Sequence, residues 1–446
     1  MRSDEVSNEV RERELAALRS AAVEALQQGD VVRAEQIYSR LLSVAPEHAE
    51  ALQFVAARHF ERGDPMRAVA MLLMASQARP DDPTILHQLG AAQSAAGDWR
   101  GSVDNLKKCL SLAPHLFLAR LRLGMALEQL DDRHGALVAY FSAVNLAQAS
   151  KRWMSDDSTP PGLRQLVRHA IGFIDKERSG LFHAVLEPLR QRYGWSELKR
   201  VEECLAIYLG EQSPSLPDPR QAPKFLYFPG VPSQPYYARE RFPWQVELEA
   251  HTAMIREELR AVLSGPKQLE SFLLTDSPQD SADLLRSSGP GNAAWDAYFF
   301  YRHGERYGAH AETCPRTMAL LDALPLVRVR EHSPEALFSV LRPGSHILPH
   351  RGVTNTRLVT HLPLIVPTDC ALRVGGDIHE WKEGRCVTFD DTFEHEAWNH
   401  SGETRVVLIV DAWNPDLSEA ERAAVTDLVA AIGDFNRECE LPTPKG

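Results

Sequence analysis

The pattern of hydrophobic and polar positions changes its period near residue 224. Up to residue 211, apolar residues recur three or four positions apart, which is the spacing of amphipathic helices. From residue 224, short runs rich in Val, Ile, Phe and Tyr alternate with Gly, Pro and Asp, as in strands joined by turns. Between them, residues 212–223 are rich in Pro and polar residues and predict a linker. The chain therefore divides into a helical first half and a β-rich second half.

The helical half contains an internal repeat with a period of 34 residues. A Gly-Asp pair and a Pro recur at this period, at Gly29, Gly63 and Gly97 and at Pro46, Pro80 and Pro114. A third column holds small residues, namely Ala34, Ala68, Ser102 and Ala136. A fourth column holds large residues, namely Tyr38, Leu72, Leu106 and Tyr140. These columns resemble the tetratricopeptide repeat, in which small residues let two helices approach and Gly turns the chain between them.

Three repeats are clear, and a fourth at 117–150 has Asp131 where Gly is expected. Because one helix pair cannot bury its apolar face alone, the repeats must stack, and we expect a solenoid over residues 13–150. The helical patterns in 151–211 predict capping helices or a helical linker. The concave surface of such a solenoid is suited to holding an extended peptide.

The second half, residues 224–437, contains many short strand-like runs and few helical patterns. The runs are KFLYF, AYFFYR, ALFSVL, RLVTHLPLIV, CALRVG, CVTFDD and RVVLIVDAW. This arrangement is typical of a jelly-roll or cupin-like barrel. We therefore expect a multidomain α + β protein, with an all-α solenoid followed by a β-barrel domain.

Composition excludes several classes of function. The net charge of −12 disfavours a nucleic-acid partner, because phosphate binding needs a basic face. The six cysteines contain no C-x-x-C pair and indicate a reducing compartment. The N-terminus lacks the apolar core of a signal peptide, and no run approaches the ~18 apolar residues of a membrane helix. We expect a cytoplasmic protein without a membrane span, whose oligomeric state stays open.

Two histidines in distant strand-like runs are candidate metal ligands. His350 follows a short run bounded by turn-forming prolines, and His395 lies between two glutamates whose side chains point to the opposite face. Neutral imidazoles on neighbouring strands suit iron, copper or zinc. Together with Arg405, an inward basic residue on a later strand, they favour an iron(II) site with a bound dicarboxylate and thus oxygen-dependent hydroxylation. The usual third ligand is a carboxylate at position 352, where this chain has Gly352. The metal ligands alone therefore do not exclude halogenation as the reaction.

Residues 224–425 resemble the aspartyl/asparaginyl β-hydroxylase family. The motifs that carry the resemblance are KFLYFPGVPSQPYY, FPWQVELE, ALFSVLRPGSHILPHRGVTNTRLVTHLPL, FDDTFEHEAWN and RVVLIVDAWNPDLS. The resemblance implies a double-stranded β-helix fold that uses Fe(II), 2-oxoglutarate and O2. Family members also use two histidines and a glycine, so His350, His395 and Gly352 fit its metal site.

The resemblance also implies roles for other residues of these motifs. Arg405 would pair with the distal carboxylate of 2-oxoglutarate, and Ser339 would help to hold it. His361 would lie near the 2-oxo acid end, and Arg357 would contact an acidic group of the substrate. Family members carry a second arginine where this chain has Val359, so that one cationic partner of the cosubstrate is missing here.

Two neighbouring acidic residues are interpreted structurally rather than catalytically. Asp390 and Asp391 precede the second histidine motif, and we interpret them as turn and strand-cap residues, since this chemistry needs no protein general base. Trp381, Trp398 and Trp413 are expected in the core, and Cys314 in packing.

Three functions are compatible with these patterns. The first is a 2-oxoglutarate oxygenase that hydroxylates an Asp or Asn residue of a peptide or protein held by the repeats. The second keeps the chemistry but acts on a free or carrier-bound amino acid or on a lipid acyl chain, although no membrane helix supports the lipid version. The third is a non-catalytic repeat scaffold, which the retention of both histidines, Arg405 and Ser339 disfavours.

Overall fold

The structure is a computed structural model that describes residues 2–265, 269–272, 284–287 and 293–439. The chain forms two compact units, built mainly of Met1–Gly180 and of Leu181–Arg437. The helices of the first unit pack in consecutive antiparallel pairs. They are α1 (Arg2–Gln27), α2 (Val31–Val44), α3 (Ala49–Glu61), α4 (Pro65–Ala78), α5 (Pro83–Ala95), α6 (Trp99–Leu112), α7 (Phe117–Gln129) and α8 (Arg133–Ala149).

The recurring Gly-Asp pair forms the turn within each helix pair. Gly29, Gly63 and Gly97 all have φ between +76° and +83°, a backbone conformation that side chains with a Cβ rarely adopt. The aspartate that follows caps the next helix, as Asp98 does by accepting a hydrogen bond from the backbone N–H of Gly101. In the fourth repeat Asp131 adopts the same left-handed conformation with φ of 61°. The substituted repeat therefore keeps the turn.

The small-residue column allows the close approach of the paired helices. Ala34, Ala68, Ser102 and Ala136 are fully buried. On the facing helices, a Cβ at Gly90 or at Gly124 would collide with the large residues of the fourth column. The tetratricopeptide-like architecture predicted from the repeat is confirmed. After it come α9 (Arg164–Tyr193) and α10 (Lys199–Leu209), whose capping role stays a prediction.

The second unit contains two antiparallel sheets. In the described residues the larger sheet has the strand order β1-β11-β8-β13-β6-β4-β2, with β5 beside β4, and the smaller has the order β10-β9-β12-β7-β3. The strands are β1 (Tyr236–Tyr237), β2 (Glu270–Ser271), β3 (Leu285–Ser287), β4 (Trp295–Arg302), β5 (Glu305–Arg306), β6 (Ala336–Leu341), β7 (Ser345–His350), β8 (Arg357–Ile365), β9 (Cys370–Val374), β10 (Asp377–His379), β11 (Val387–Phe389), β12 (His395–Asn399) and β13 (Arg405–Trp413). Among the described residues after residue 224, five α-helices accompany them, namely α11 (Gln245–Ala250), α12 (Thr252–Ser264), α13 (Gly308–Thr313), α14 (Pro315–Ala323) and α15 (Glu419–Glu438).

The larger sheet is buried on both faces. One face packs on α12 and α14 through residues such as Phe338, Leu362 and Leu408. The other face meets the smaller sheet, where Leu341 and Val407 join residues of β7, β9 and β12 in one core. Double burial explains why β6, β8 and β13 are nearly continuous apolar runs in the sequence rather than alternating ones. The α + β fold class with a two-sheet β-domain is confirmed.

The fold places the candidate site between the two sheets. His350 and His395 lie on the neighbouring strands β7 and β12 of the smaller sheet, while Ser339, His361 and Arg405 lie on β6, β8 and β13 of the larger sheet. Residues far apart in the sequence are thereby brought together. As to membranes, the described helices include none whose length and apolar content would let it cross a bilayer.

Candidate active site

The two histidines are direct partners across an antiparallel strand pair. His350 at the end of β7 is in register with His395 at the start of β12. Their ring centroids are 4.1 Å apart, with an angle of 52° between the ring planes. The register then shifts immediately after His395, which is a β-bulge of the kind that redirects side chains at functional sites. The two imidazoles therefore converge on the same space.

Backbone hydrogen bonds orient both rings in the same way. Nδ1 of His350 lies 2.8 Å from the carbonyl oxygen of Leu348, and Nδ1 of His395 lies 3.1 Å from that of Phe393. A carbonyl only accepts, so each Nδ1 carries the proton and each Nε2 keeps its lone pair. Burial lowers the pKa of both histidines to about 4. For His350, the proximity of His395 also contributes to the lower pKa. The pair is neutral at physiological pH and offers two Nε2 ligands.

Arg405 is a buried cation without an acidic partner. Its exposed fraction is 1%, and its guanidinium lies 3.3 Å from Oγ of Ser339 and 5.0 Å above the ring of Trp381. Among the described residues no carboxylate lies within ion-pair distance, and Nε of Arg405 has no hydrogen-bond partner. Burial lowers the pKa of this guanidinium to about 10. A charge buried in this way is costly unless an anion completes the site.

Ser339 and His361 are polar residues of the same cavity as this guanidinium. Oγ of Ser339 also accepts a hydrogen bond from Nε1 of Trp295 at 2.9 Å, which fixes the hydroxyl towards Arg405. His361 is buried against Phe389, and its Nδ1 has no partner within the described chain. Burial, and then the charge of Arg405, hold the pKa of His361 well below its usual value. The neutral ring can therefore donate to or accept from a bound acid.

Arg357 lines the same space but is already paired. Its Nη1 lies 2.9 Å from Asp411 and 3.4 Å from Asp391, and all three side chains are buried. Burial opposes its charge, but the two carboxylates prevail and raise the pKa of Arg357. Burial, together with the nearby carboxylates of Glu335 and Asp391, raises the pKa of Asp411 to about 6, although Arg357 opposes the shift. A substrate acid would have to compete with both aspartates for this arginine.

Asp391 is the site residue that the sequence interpretation missed. Its carboxylate is buried beside His350, and its Oδ1 has no hydrogen-bond partner in the described residues. The carboxylate occupies the space that a side chain at position 352 would fill. The space beside Gly352 is thus occupied by the carboxylate of Asp391, which comes from the turn between β11 and β12. The signal was the acidic pair Asp390-Asp391: the turn that it predicted is present, but Asp391 also lines the cavity.

These side chains surround one cavity of about 350 Å³. Its polar lining comprises His350, His361, His395, Ser339, Arg357, Arg405, Asp391, Asp411, Glu335, Lys224, Arg351 and Glu396. Its apolar wall comprises Phe272, Leu284, Trp295, Leu337, Ile347, Val353, Val359, Leu372, Phe389, Ala397 and Ile409. The structure therefore brings all six residues singled out in the sequence to one cavity. Of the tryptophans, Trp381 lies in the core beneath Arg405.

The residues fit a metal ion that two imidazoles hold. No group of three or more His, Cys, Asp or Glu side chains forms a metal cluster in the described parts of the chain. The two Nε2 lone pairs nevertheless point away from their backbone partners, and such imidazole ligands suit iron, copper or zinc. A metal ion held by two protein ligands would have further positions open to ligands from outside the chain.

We expect that Gly352→Ala destabilises the protein by about 1–3 kcal/mol, because the added methyl group must displace the Asp391 carboxylate. Urea denaturation of the variant measures this. Gly308→Ala is the matched control, since no atom lies within 4 Å of a Cβ at Gly308, and it should change stability by less than about 0.5 kcal/mol. The double variant with Asp391→Ala should recover part of the loss. Equal effects at the two glycines would contradict the packing described here.

Comparison with known proteins identifies two matching families. A model of the family described as aspartyl/asparaginyl beta-hydroxylase matches residues 249–415. A tetratricopeptide repeat model matches residues 25–92. The first match contains every candidate residue on β6, β7, β8, β12 and β13.

Three relatives show how far the similarity extends. Aspartate beta-hydroxylase domain-containing protein 2 of Mus musculus is 34% identical over 261 residues, which are 57% of this chain and 71% of that protein. Ornithine lipid ester-linked acyl 2-hydroxylase of Rhizobium tropici is 36% identical over 200 residues, 44% of this chain and 66% of that protein. Aspartyl/asparaginyl beta-hydroxylase of Homo sapiens is 27% identical over 367 residues, 78% of this chain but 45% of that protein. The chain spans about two thirds of the length of the first two and less than half of the third.

Proposed function

The chain belongs to the aspartyl/asparaginyl β-hydroxylase family, and from this premise we propose that it is an Fe(II)- and 2-oxoglutarate-dependent oxygenase. Its substrate would be an Asp- or Asn-type residue of a peptide or protein. The observation that carries the proposal is the buried guanidinium of Arg405, which lacks an acidic partner in the described residues and shares a cavity with the histidine pair. A dicarboxylate could bind the metal at one end and would pair with the Arg405 guanidinium at the other.

Each residue would have a distinct task in this reaction. His350 and His395 would hold the metal through Nε2, in the orientation that their Nδ1 hydrogen bonds maintain. Arg405 would bind the distal carboxylate of 2-oxoglutarate with its planar fork of donors, and Ser339 would add a hydroxyl group. When bound, iron and 2-oxoglutarate supply the oxygen chemistry that hydroxylates a C–H bond.

Further residues would position the other end of the cosubstrate. His361 lies near enough for Arg405 to lower its pKa, and its unpartnered Nδ1 could bond the 2-oxo acid end. This bond would partly offset the absence of the second arginine, whose position is occupied by Val359 in this chain. The apolar wall would exclude water, which strengthens each polar contact in the cavity.

The pairing of Arg357 bears on the substrate. Asp391 and Asp411 already neutralise its charge, and Glu335 adds another acidic group to the cavity. The unpartnered Oδ1 of Asp391 is an acceptor that suits a donor such as an amide N–H. Within the first proposal, an asparagine side chain therefore fits this wall better than an ionised aspartate.

The apolar wall favours a second candidate substrate, a lipid acyl chain. Leu337, Val359 and Ile409 line the larger-sheet side of the cavity, and none can hydrogen-bond a polar substrate through its side chain. The relative from Rhizobium tropici carries the name of an acyl 2-hydroxylase. This candidate keeps the same metal and cosubstrate residues and changes only the group that is hydroxylated.

The two candidates are separated by supplying substrates to the purified full chain with iron(II), 2-oxoglutarate and oxygen. We expect slow formation of succinate without substrate, and faster formation with a peptide that contains Asn. Matched peptides with Asp or Leu at that position, and vesicles of an ester-linked acyl lipid, are the comparisons. Mass spectrometry should show one added oxygen atom on the preferred substrate. If no succinate forms under any condition, the proposed reaction is wrong.

A further inference from the structure

Residues 220–226, which we call the strap, lie against the turn that precedes His395. Within the strap, Gln221 forms an isolated antiparallel bridge with Phe393, and the guanidinium of Arg220 lies 5.8 Å from the centroid of the Phe393 ring. The carbonyl oxygen of Phe393 accepts the hydrogen bond from Nδ1 that orients the ring of His395. The strap therefore contacts the residue that fixes the direction of this candidate metal ligand.

The same strap is hydrogen-bonded to the loop that follows His350. The backbone N–H of Lys224 donates to the carbonyl oxygen of Gly352 at 3.1 Å, and that of Phe225 donates to the carbonyl oxygen of Val353 at 2.9 Å. One short segment is thereby bonded to both loops that carry the histidine pair. Backbone hydrogen bonds of this kind hold the two loops at a fixed separation.

The side chain of Gln221 is the buried link between the strap and the turn. It is fully buried, and its Nε2 donates to Oδ2 of Asp390 at 2.7 Å. Its Oε1 accepts a hydrogen bond from the hydroxyl of Ser233 at 2.9 Å, so both ends of the amide are bonded. The backbone N–H and the hydroxyl of Thr392 donate to the other oxygen of Asp390, at 2.9 and 2.6 Å. Three donors therefore satisfy a carboxyl group that is buried away from water.

Asp390 in turn supports the conformation of the turn. The backbone N–H of Phe393 donates to the carbonyl oxygen of Asp390 at 3.3 Å, and the next residue, Asp391, places its carboxylate in the cavity. Without the amide of Gln221, the buried Asp390 carboxyl would lack one donor, which is costly unless the turn shifts to admit water. Such a shift would displace the Phe393 carbonyl oxygen and with it the ring of His395.

We propose that Gln221 is a positioning residue of the oxygenase site, which acts through Asp390 to hold His395 in the orientation that pairs it with His350. The inference rests on the proposed function, since it assigns Gln221 to the metal site of that reaction. Gln221 does not line the cavity, so its replacement changes the position of a ligand without removing any ligand. It also precedes residue 249, where the match to the hydroxylase family model begins.

The test is the affinity of the full chain for iron(II), measured by calorimetry under anaerobic conditions. Gln221→Leu should weaken iron(II) binding about tenfold, as the loss of groups that orient metal ligands does. At saturating iron(II), kcat for succinate formation should fall, whereas KM for 2-oxoglutarate should change by less than about twofold. The reason for this split is that Ser339 and Arg405, which would bind the distal carboxylate, lie on strands β6 and β13 of the larger sheet.

Two further variants separate positioning from folding. Gln212→Leu is the matched control, because Gln212 is exposed and precedes the strap, and its replacement should leave iron(II) binding unchanged. Ser233→Ala removes the hydroxyl that donates to the Gln221 amide, and it should weaken iron(II) binding in the same direction by a smaller factor. It provides the measurement if Gln221→Leu does not fold, which urea denaturation determines.

A purely structural role would give a different result. If the Gln221 and Ser233 variants lost stability but bound iron(II) as tightly as Gln212→Leu does, the amide would serve the fold alone and the proposal would be overturned. It would also be overturned if the unmodified chain bound no iron(II). By contrast, a chain that binds iron(II) but forms no succinate would refute the proposed function, and the iron(II) affinities of the variants would still decide the role of Gln221.

Discussion

Replacement of His350 or His395 by Ala is expected to lower succinate formation from 2-oxoglutarate by at least about a hundredfold, since even residues that only orient metal ligands contribute 10–100-fold. Each imidazole would supply one of the two protein ligands, so its loss leaves a single ligand. Iron(II) binding should fall in parallel, which calorimetry under anaerobic conditions measures independently of turnover. The double variant should be no worse than either single variant, because both ligands act as a unit.

His400→Ala is the matched control for this experiment. His400 follows β12 directly, is exposed, and stacks on Trp398 outside the cavity lining. Its replacement should leave iron binding and succinate formation within about twofold of the unmodified chain, since surface substitutions have small effects. Should the His350 and His395 variants bind iron as tightly as the His400 variant does, the metal would have to lie elsewhere.

Replacement of Arg405 by Met is expected to act in opposite directions on activity and on stability. Loss of one partner of a buried charge pair costs about 2–5 kcal/mol, so KM for 2-oxoglutarate should rise at least about thirtyfold. Without cosubstrate, however, the variant should be equally stable or more stable by about 1 kcal/mol or more, because a buried guanidinium without a counter-charge is replaced by an apolar side chain. Steady-state kinetics and urea denaturation measure the two effects.

A structural arginine would give a different result. If Arg405 served the fold alone, its replacement would lower stability and kcat and would leave KM for 2-oxoglutarate unchanged. Added 2-oxoglutarate should raise the melting temperature of the unmodified chain and have no such effect on Arg405→Met, since a ligand stabilises only the state that binds it. Arg260→Met is the matched control, because Arg260 is an exposed arginine on α12 of the same unit.

Much of the fold could be predicted because its signals are local and periodic. Gly29, Gly63 and Gly97 identify the repeat turns without reference to any other part of the chain, since only their own φ angles require glycine. The strands β6, β8 and β13 were recognisable as apolar runs for the same reason. The family resemblance then indicated the candidate residues of the cavity, because its motifs surround both histidines.

The charge state of the cavity could not be predicted in this way. From the sequence, Arg357 was expected to contact an acidic group of the substrate. In the structure, Asp391 and Asp411, which come from two other segments, neutralise its charge. Asp391 resembles an ordinary turn residue until the fold places its carboxylate where position 352 lacks a side chain. Such pairings depend on distances between residues far apart in the chain, which no local pattern encodes.

The sequence by itself determined the helical repeats, the β-rich second half and the family, because each is written in residue types at fixed spacing along the chain. Only the tertiary structure decided that Arg405 lacks an acidic partner among the described residues while Arg357 has two. The physical reason is that the energy of a charge depends on its burial and on the neighbours within a few ångströms, both of which arise only when the strands and helices pack.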